Sequence, residues 1–154
     1  MMVQAFRLSV DDIEHFKKDI CSLLRQSFKK SFPGRGFAED ELISRIEKAK
    51  EYVLADKAVI YGAKHDEKLV GFVWFFSKTD GTQEVVHINH FAVLEGYRGM
   101  GLGSSLLKCV ESFVRESRAK EIELIVTASN KSAVGFYLNK GFSIERFVMR
   151  KRLT

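Results

Sequence analysis

Three observations predict a three-layer α/β fold of the mixed α+β kind, with helices on both faces of a mostly antiparallel central sheet that contains one parallel βαβ unit. Three strand-like runs between Ala58 and Val93 follow one another through very short turns, the pattern of an antiparallel meander. The last run feeds a glycine-rich turn, an amphipathic helix and a further strand, Glu121 to Thr127, and a strand–helix–strand passage of this kind makes a right-handed parallel crossover. Apolar residues at helical spacing before the meander and after the turn supply the covering layers.

The elements follow in order. Val3 to Leu8 reads as a first strand. Ser9-Val10-Asp11-Asp12 is a capping-box variant, with Ser9 as N-cap and an acid three positions on. Ile13, Phe16, Ile20, Leu23, Leu24 and Phe28 then keep one helical face, which Phe32-Pro33-Gly34-Arg35-Gly36 interrupts as a loop. A second helix runs from about Glu39 to Leu54, with Leu42, Ile46, Ala49 and Val53 inward. In the meander, Ala58 to His65 and Lys68 to Phe76 flank an Asp66-Glu67 turn. Thr79-Asp80-Gly81-Thr82 holds the Asp-Gly hairpin signal, and Glu84 to Val93 is the third strand. Gly101 to Arg118 buries Leu102, Leu106, Cys109, Val110, Phe113 and Val114 as a helix. In the strand from Glu121, Ile122, Leu124 and Val126 share a face. Ser129-Asn130 caps a last helix, Lys131 to Lys140, ended by Gly141; Phe142 to Glu145 and Phe147 to Leu153 read as closing strands.

A length of 154 residues, 45% hydrophobic and 29% charged, describes one soluble globular domain over 1–154. The chain opens without an apolar core of signal-peptide length. Its longest uncharged apolar run, Leu69 to Phe76, is far short of a membrane span, so a cytoplasmic location and no membrane partner are expected. Cys21 and Cys109 fall at apolar helix positions and read as reduced packing residues. The net charge of +5 is spread among interleaved acids, densest at Arg146, Arg150, Lys151 and Arg152. No motif joins aromatic and basic residues for nucleic acid, and a polyanionic cofactor accounts for the balance equally well.

Chemistry concentrates at Val93-Leu94-Glu95-Gly96-Tyr97-Arg98-Gly99-Met100-Gly101-Leu102-Gly103. Alternate glycines at a helix start leave amides free of side-chain bulk where the helix dipole is positive, a cradle for phosphate. A triphosphate P-loop needs Gly-Lys-Ser/Thr, whereas Gly103-Ser104-Ser105 lacks the lysine. A dinucleotide fingerprint needs a third glycine where Ser104 stands, and an acid at the end of the next strand, whereas Glu121 and Glu123 begin it. A ligand-free glycine turn would carry the entropy of these glycines without return.

Arg98-Gly99-Met100-Gly101-Leu102-Gly103 resembles the Q/R-x-x-G-x-G/A element of the GCN5-related N-acetyltransferases, the GNAT superfamily. Asn130-Lys131-Ser132-Ala133-Val134-Gly135-Phe136-Tyr137-Leu138-Asn139-Lys140-Gly141-Phe142 resembles that family's second element, an Asn-capped helix with a Phe-Tyr pair and a closing Gly-Phe. The order of elements agrees over essentially the whole chain. The resemblance implies acetyl-CoA as cofactor and an amine as acceptor. It implies that backbone groups of Phe91, Ala92 and Val93 line the pantetheine arm. The amides of Arg98, Gly99, Met100, Gly101, Leu102, Gly103 and Ser104 would hold the pyrophosphate, with Asn130, Phe136 and Tyr137 completing the cofactor site. Many relatives form dimers, so a homodimer is among the assemblies it implies.

Acetyl transfer to an amine needs a base, an oxyanion donor and an acid for the leaving thiolate. By resemblance, the Val93 amide is the oxyanion donor and Tyr137 the acid. The base is His87 by position, since histidine titrates near neutrality; Glu84, His90 or water are the alternatives. Strand alternation puts His87, Asn89 and Phe91 on one face and Ile88, His90 and Ala92 on the other, so His87-x-x-His90 is not read as a metal pair, and no metal is expected. The segment Phe28 to Phe37, with Trp74 and Phe76 beside it, is expected to wall the acceptor. A non-catalytic acyl-CoA-binding sensor is the alternative to an enzyme acting on a small molecule or peptide.

Overall fold

The computed structural model describes residues 3–154. Five strands, β1 (Gln4–Arg7), β2 (Val59–His65), β3 (Lys68–Asp80), β4 (Gln83–Val93) and β5 (Glu121–Leu124), form one sheet in the order β1-β2-β3-β4-β5. The first four are antiparallel and β5 lies parallel to β4, as the meander and the crossover predict. The helices are α1 (Val10–His15), α2 (Lys17–Ser31), α3 (Glu39–Leu54), α4 (Leu102–Glu116) and α5 (Lys131–Asn139).

Alternation along the strands sorts the core into two halves. Leu69, Phe72 and Trp74 of β3 join Ile60 and Ala92 beneath α1–α3, while Val70, Val73 and Phe75 join Val86 and Ile88 beneath α4. The two faces of β3 are therefore both dry, which explains why its central run is apolar without a break. Among the described residues no charged or polar side chain is fully buried. Among those residues, too, no helix is long and apolar enough to cross a membrane. Cys21 and Cys109 lie free on α2 and α4, and burial raises both thiols above their ordinary range.

Local signals act as written. Ser9 Oγ accepts the Asp12 amide at 3.1 Å while the Ser9 amide donates to Asp12 Oδ2 at 2.8 Å, a reciprocal capping box. Gly81 sits at φ +67° in the two-residue loop that pairs Asp80 with Gln83.

Three expectations need correction. The helix expected from Ser9 to Phe28 is two helices, because Phe16 leaves helical geometry (φ −95°, ψ 17°) to enter the core against Phe6. The strand expected to reach Thr127 stops at Leu124, where β4 and β5 part. The closing strands at Phe142–Glu145 and Phe147–Leu153 are not formed: residues 142–154 have no regular structure, and from Ser143 onward every residue is exposed. Their β-like sequence finds no partner strand within the chain.

The layered core sets a stability expectation. Phe75 is 0% exposed and packs on Phe113 and Tyr61, so Phe75→Ala should lose about 3–5 kcal/mol in urea unfolding. Leu54→Ala, at an 80% exposed position, should change it by less than about 0.5 kcal/mol.

Candidate active site

The site is organised by what happens to β4 at Asn89. Trp74 pairs with His90 but Phe75 pairs with Ile88, so Asn89 is the extra residue of a bulge. The bulge overturns the simple alternation expected for this strand. Before it, His87 pairs with Phe76 and faces the α1–α3 layer while Val86 and Ile88 face α4. After it, His90 and Ala92 face α1–α3, and Phe91 and Val93 pack toward α4. His87 and His90 thus share a face, contrary to the alternation argument. Among the described residues no three His, Cys, Asp or Glu side chains converge as metal ligands.

The bulge also ends the parallel pairing. Ile88 opposite Leu124 is the last matched pair, and β4 runs on to Val93 with no neighbour on that side. The Leu94 amide donates to Val70 O at 2.8 Å, so by antiparallel alternation the backbone groups of Phe91 and Val93 point away from β3 into the opening. A side chain not singled out by sequence holds this exit: Gln26 of α2 donates Nε2 to Val93 O at 2.9 Å and accepts the Glu95 amide at 3.1 Å. One amide side chain thereby fixes the strand end and the first residues of the loop. Nothing in the spacing of α2 marks it apart from other surface-facing positions.

Beyond Glu95 the chain turns through Gly96, Gly99 and Gly101, at φ +92°, +79° and +78°. Gly101 is the N-cap of α4 and supplies no capping side chain, and a Cβ at Gly99 or Gly101 would meet no atom. Among the described residues, the amides of Arg98, Gly99, Gly101, Leu102, Gly103 and Ser104 find no acceptor in good geometry. Unsatisfied donors at a bare helix N-terminus are what an anion requires. Arg98 and Met100 are exposed beside them, whereas the Leu102 side chain is core, so only its amide is available. Gly103 has a different reason: a Cβ there would lie 3.2 Å from the Phe136 ring, so its absence lets α4 and α5 close together. Asn130 caps α5 by accepting the Ala133 amide at 3.4 Å. This places Phe136 and Tyr137 edge-on to Phe91, with centroids 5.9 and 6.1 Å away, at the opening beside β4.

Burial alone pushes the Tyr137 phenol up to about 12, so it keeps its proton at neutral pH. His87 stands on the other side of the bulge. Its Nδ1 meets Glu123 Oε2 at 2.5 Å, and Lys78 Nζ lies 2.9 Å from the same oxygen. Lys78 first, and His87 with it, hold the Glu123 carboxyl below its ordinary range. The parallel register opposes His87 to Glu123 across β4 and β5, and this long-range pairing is why sequence spacing did not single out Glu123. Glu84 is exposed near the β3–β4 hairpin tip, opposite Thr79 and on the sheet face away from His87, so the structure does not bring it to the others.

His90 is set deeper, between Trp74 and Phe28 with Arg45 above the Phe28 ring. Burial first, and Arg45 second, lower it to about 4, so it is neutral at physiological pH. Its Nε2 and the Trp74 indole N–H are buried without a chain partner. The segment expected to wall the acceptor carries an aromatic group, Phe28, Phe32 and Phe37, with Arg35 stacked 4.5 Å above Phe37. Thr127 Oγ1 donates to Ser31 O at 2.8 Å and ties this wall to the segment after β5. Trp74 belongs to the core; Phe76 is half-buried against His87.

The buried neutral histidine predicts a pH dependence. Below an ordinary histidine pKa of 6.5 the unfolded chain takes a proton that folded His90 refuses, so stability falls as pH drops from 6.5 towards 4. Urea unfolding across that range should show a loss of up to about 3 kcal/mol that His90→Asn lacks; equal slopes in the two proteins would refute it.

Comparison with known proteins agrees with this geometry. Residues 18–142 match the Acetyltransferase (GNAT) family. An uncharacterised N-acetyltransferase of Bacillus subtilis, YdgE, is 25% identical over 131 residues, 81% of this chain and 83% of that protein. An N-alpha-acetyltransferase of Sulfurisphaera tokodaii is 33% identical over 106 residues, 63% of this chain and 61% of that protein. A Pyrococcus furiosus structure, provisionally named an acetyl transferase, superposes with a TM-score of 0.74 at 26% identity, covering 99% of this chain and all of that one. The aminoglycoside N-acetyltransferase AAC(6')-Iy, solved in complex with CoA, shares the fold at a TM-score of 0.73 and 18% identity, over 99% of this chain and 96% of that one. The bulged, diverging β4, the bare glycine turn and the match over most of the sequence together show that the chain belongs to the GNAT acetyltransferase family.

Proposed function

We propose that residues 1–154 form a single-domain N-acetyltransferase that moves an acetyl group from acetyl-CoA to a primary amine of a small molecule or peptide by direct attack. The observation that carries this reading is the pair of open backbone sets at the end of β4, the Phe91 groups and the Val93 amide on its open side and the amides of Arg98 to Ser104 in the glycine turn. Such a pair fits a chain-like ligand that bears a diphosphate at one end. The absence of side-chain bulk at Gly99 and Gly101 fits the same ligand.

Acetyl-CoA supplies the thioester whose acetyl carbon bonds to the amine nitrogen as the C–S bond breaks. The Gly99 to Ser104 amides and Arg98 bind the diphosphate. The Phe91 and Val93 backbone groups orient the arm, and the Val93 amide faces the oxygen on which negative charge develops. Tyr137 donates a hydrogen bond to the departing sulfur. With its pKa near 12 against about 8.5 for a thiol, complete proton transfer is uphill, so Tyr137 acts mainly by stabilising the thiolate while the proton remains on oxygen. His87 receives the amine proton at Nε2, because Glu123 fixes Nδ1–H and so sets the tautomer. Lys78 keeps Glu123 ionised for that task.

Thiol release from acetyl-CoA with a panel of amines tests the reading. Tyr137→Phe should lower kcat about 10- to 100-fold and His87→Gln about 100-fold, with cofactor affinity kept. Glu123→Gln should lower kcat about 10-fold without changing the KM for acetyl-CoA. Micromolar cofactor binding with no turnover of any amine would mark a sensor instead, and calorimetry that detects no CoA uptake would overturn both.

Removing the Gln26 amide should act on binding. Gln26→Leu should weaken CoA affinity about tenfold by calorimetry, because the strand exit and the turn lose their common anchor.

A further inference from the structure

One arginine of α3 lies on a ring where its neighbours meet charged partners. Glu41 and Arg45 stand four residues apart on this helix, the spacing at which an acid and a base ordinarily pair. Glu41 instead meets Arg35 at 3.5 Å, and Arg45 lies over the Phe28 ring, its guanidinium carbon 4.9 Å from the centroid. The ion pairs of α3 run through Glu39, Glu41, Glu47 and Lys50, and among the described residues none includes Arg45.

Both guanidiniums belong to one assembly. Phe28 and Phe37 touch, with centroids 4.6 Å apart, and Arg35 covers Phe37 as Arg45 covers Phe28. A guanidinium laid over a ring keeps its edge N–H groups free for two parallel hydrogen bonds, the geometry that a carboxylate accepts. The groups beneath carry no negative charge. Phe28 rests on His90, centroids 5.5 Å apart, and His90 is neutral; Trp74 beside it brings an indole N–H with no chain partner. Glu41 offsets about one of the two positive charges, so the assembly has one charge left, enough for a monoanion and too little for a phosphate dianion.

The assembly adjoins the place where acetyl transfer is proposed. His90 precedes Phe91, whose backbone faces the opening, and it shares a face with His87. The two histidines are three residues apart on β4, on the order of 7–10 Å along the strand.

We propose, on the acetyltransferase reading given above, that the acceptor is an amine with a carboxylate at its far end. The amine lies at His87, an aromatic or apolar body lies along the Phe28 and Phe37 rings, and the carboxylate lies on the edge of Arg45. Arg45 is then a specificity-determining residue, and Arg35 adds to the field at the rim.

Initial rates of thiol release with 4-(2-aminoethyl)benzoate and 4-(2-aminoethyl)benzamide test this, because the two acceptors share one amine and nearly one shape and differ in charge. The benzoate should show a KM about tenfold below that of the benzamide, and the ratio should shrink as salt is raised. Arg45→Glu, at an exposed helix position, should reverse the order of the two KM values, and Arg45→Lys should keep the order with a smaller ratio. Calorimetry with CoA on each variant shows that the cofactor site is intact. Equal KM values in the wild type, or an unchanged ratio in Arg45→Glu, overturn the proposal and leave acetyl transfer standing. Turnover of other amines but of neither test acceptor overturns it too. No turnover of any amine overturns the acetyltransferase reading itself, and this proposal with it.

Discussion

The geometry of the candidate site follows from the place where β4 stops being paired. Up to Ile88 the strand is an ordinary interior member of the sheet, bonded to β3 on one side and β5 on the other. At Asn89 one residue is added, the strand turns its faces over, and its remaining length to Val93 keeps only β3. A strand in the middle of a sheet has no spare hydrogen-bonding groups, and a strand at an edge is a hazard. Half-pairing is a compromise between the two: a short row of backbone groups is open, but it is walled by β5 below and by Phe136 and Tyr137 beside it. The glycine turn adds a second set at the N-terminus of α4. The structure therefore offers two sets of open backbone groups in place of a cavity.

Such groups have to be held still, and the holding is done from the other layer. Gln26 crosses from α2 to both sides of the strand's exit, and Lys30 reaches Glu95 at 3.6 Å. Leu94 is joined to Val70 through the backbone. These contacts join the α1–α3 layer, with its Phe28, Phe32 and Phe37 group, to the loop that opens α4. A geometry fixed to a few tenths of an ångström by packed elements is what positioned chemistry demands, and here the fixing groups are remote in sequence from the groups they fix.

That remoteness marks the boundary of what sequence could tell. Local signals were legible: the Ser9 capping box, the Asp-Gly hairpin, the Asn130 cap and the glycines at positive φ act through neighbours within a few residues. The family resemblance rested on two such local stretches and is borne out, as is the mixed sheet with its parallel crossover. What alternation could not supply was the Asn89 bulge, since a bulge is a mismatch between two strands and one strand's pattern does not contain it. Placing His90 opposite His87 was the direct consequence. Glu123 and Gln26 were hidden for a similar reason: an isolated carboxylate or amide carries meaning only through the partner that the tertiary fold brings to it. The closing strands failed differently. Their residues have β character, but in the structure they pair with neither open edge of the sheet.

The two histidines share a face but differ in their surroundings. His87, its side chain 15% exposed, is bonded to Glu123 across the paired part of β4 and β5. His90 is enclosed by Phe28 and Trp74, and burial holds it neutral down to about pH 4. A buried group that will not take a proton is a poor base but a dependable packing element, and its neutrality spares the aromatic layer an internal charge. The one bulged residue brings both imidazoles to the same face, His90 packed within the aromatic layer and His87 beside Glu123. A strand of unbroken alternation would have set His87 and His90 on opposite faces, with at most one of them beneath the α2–α3 wall.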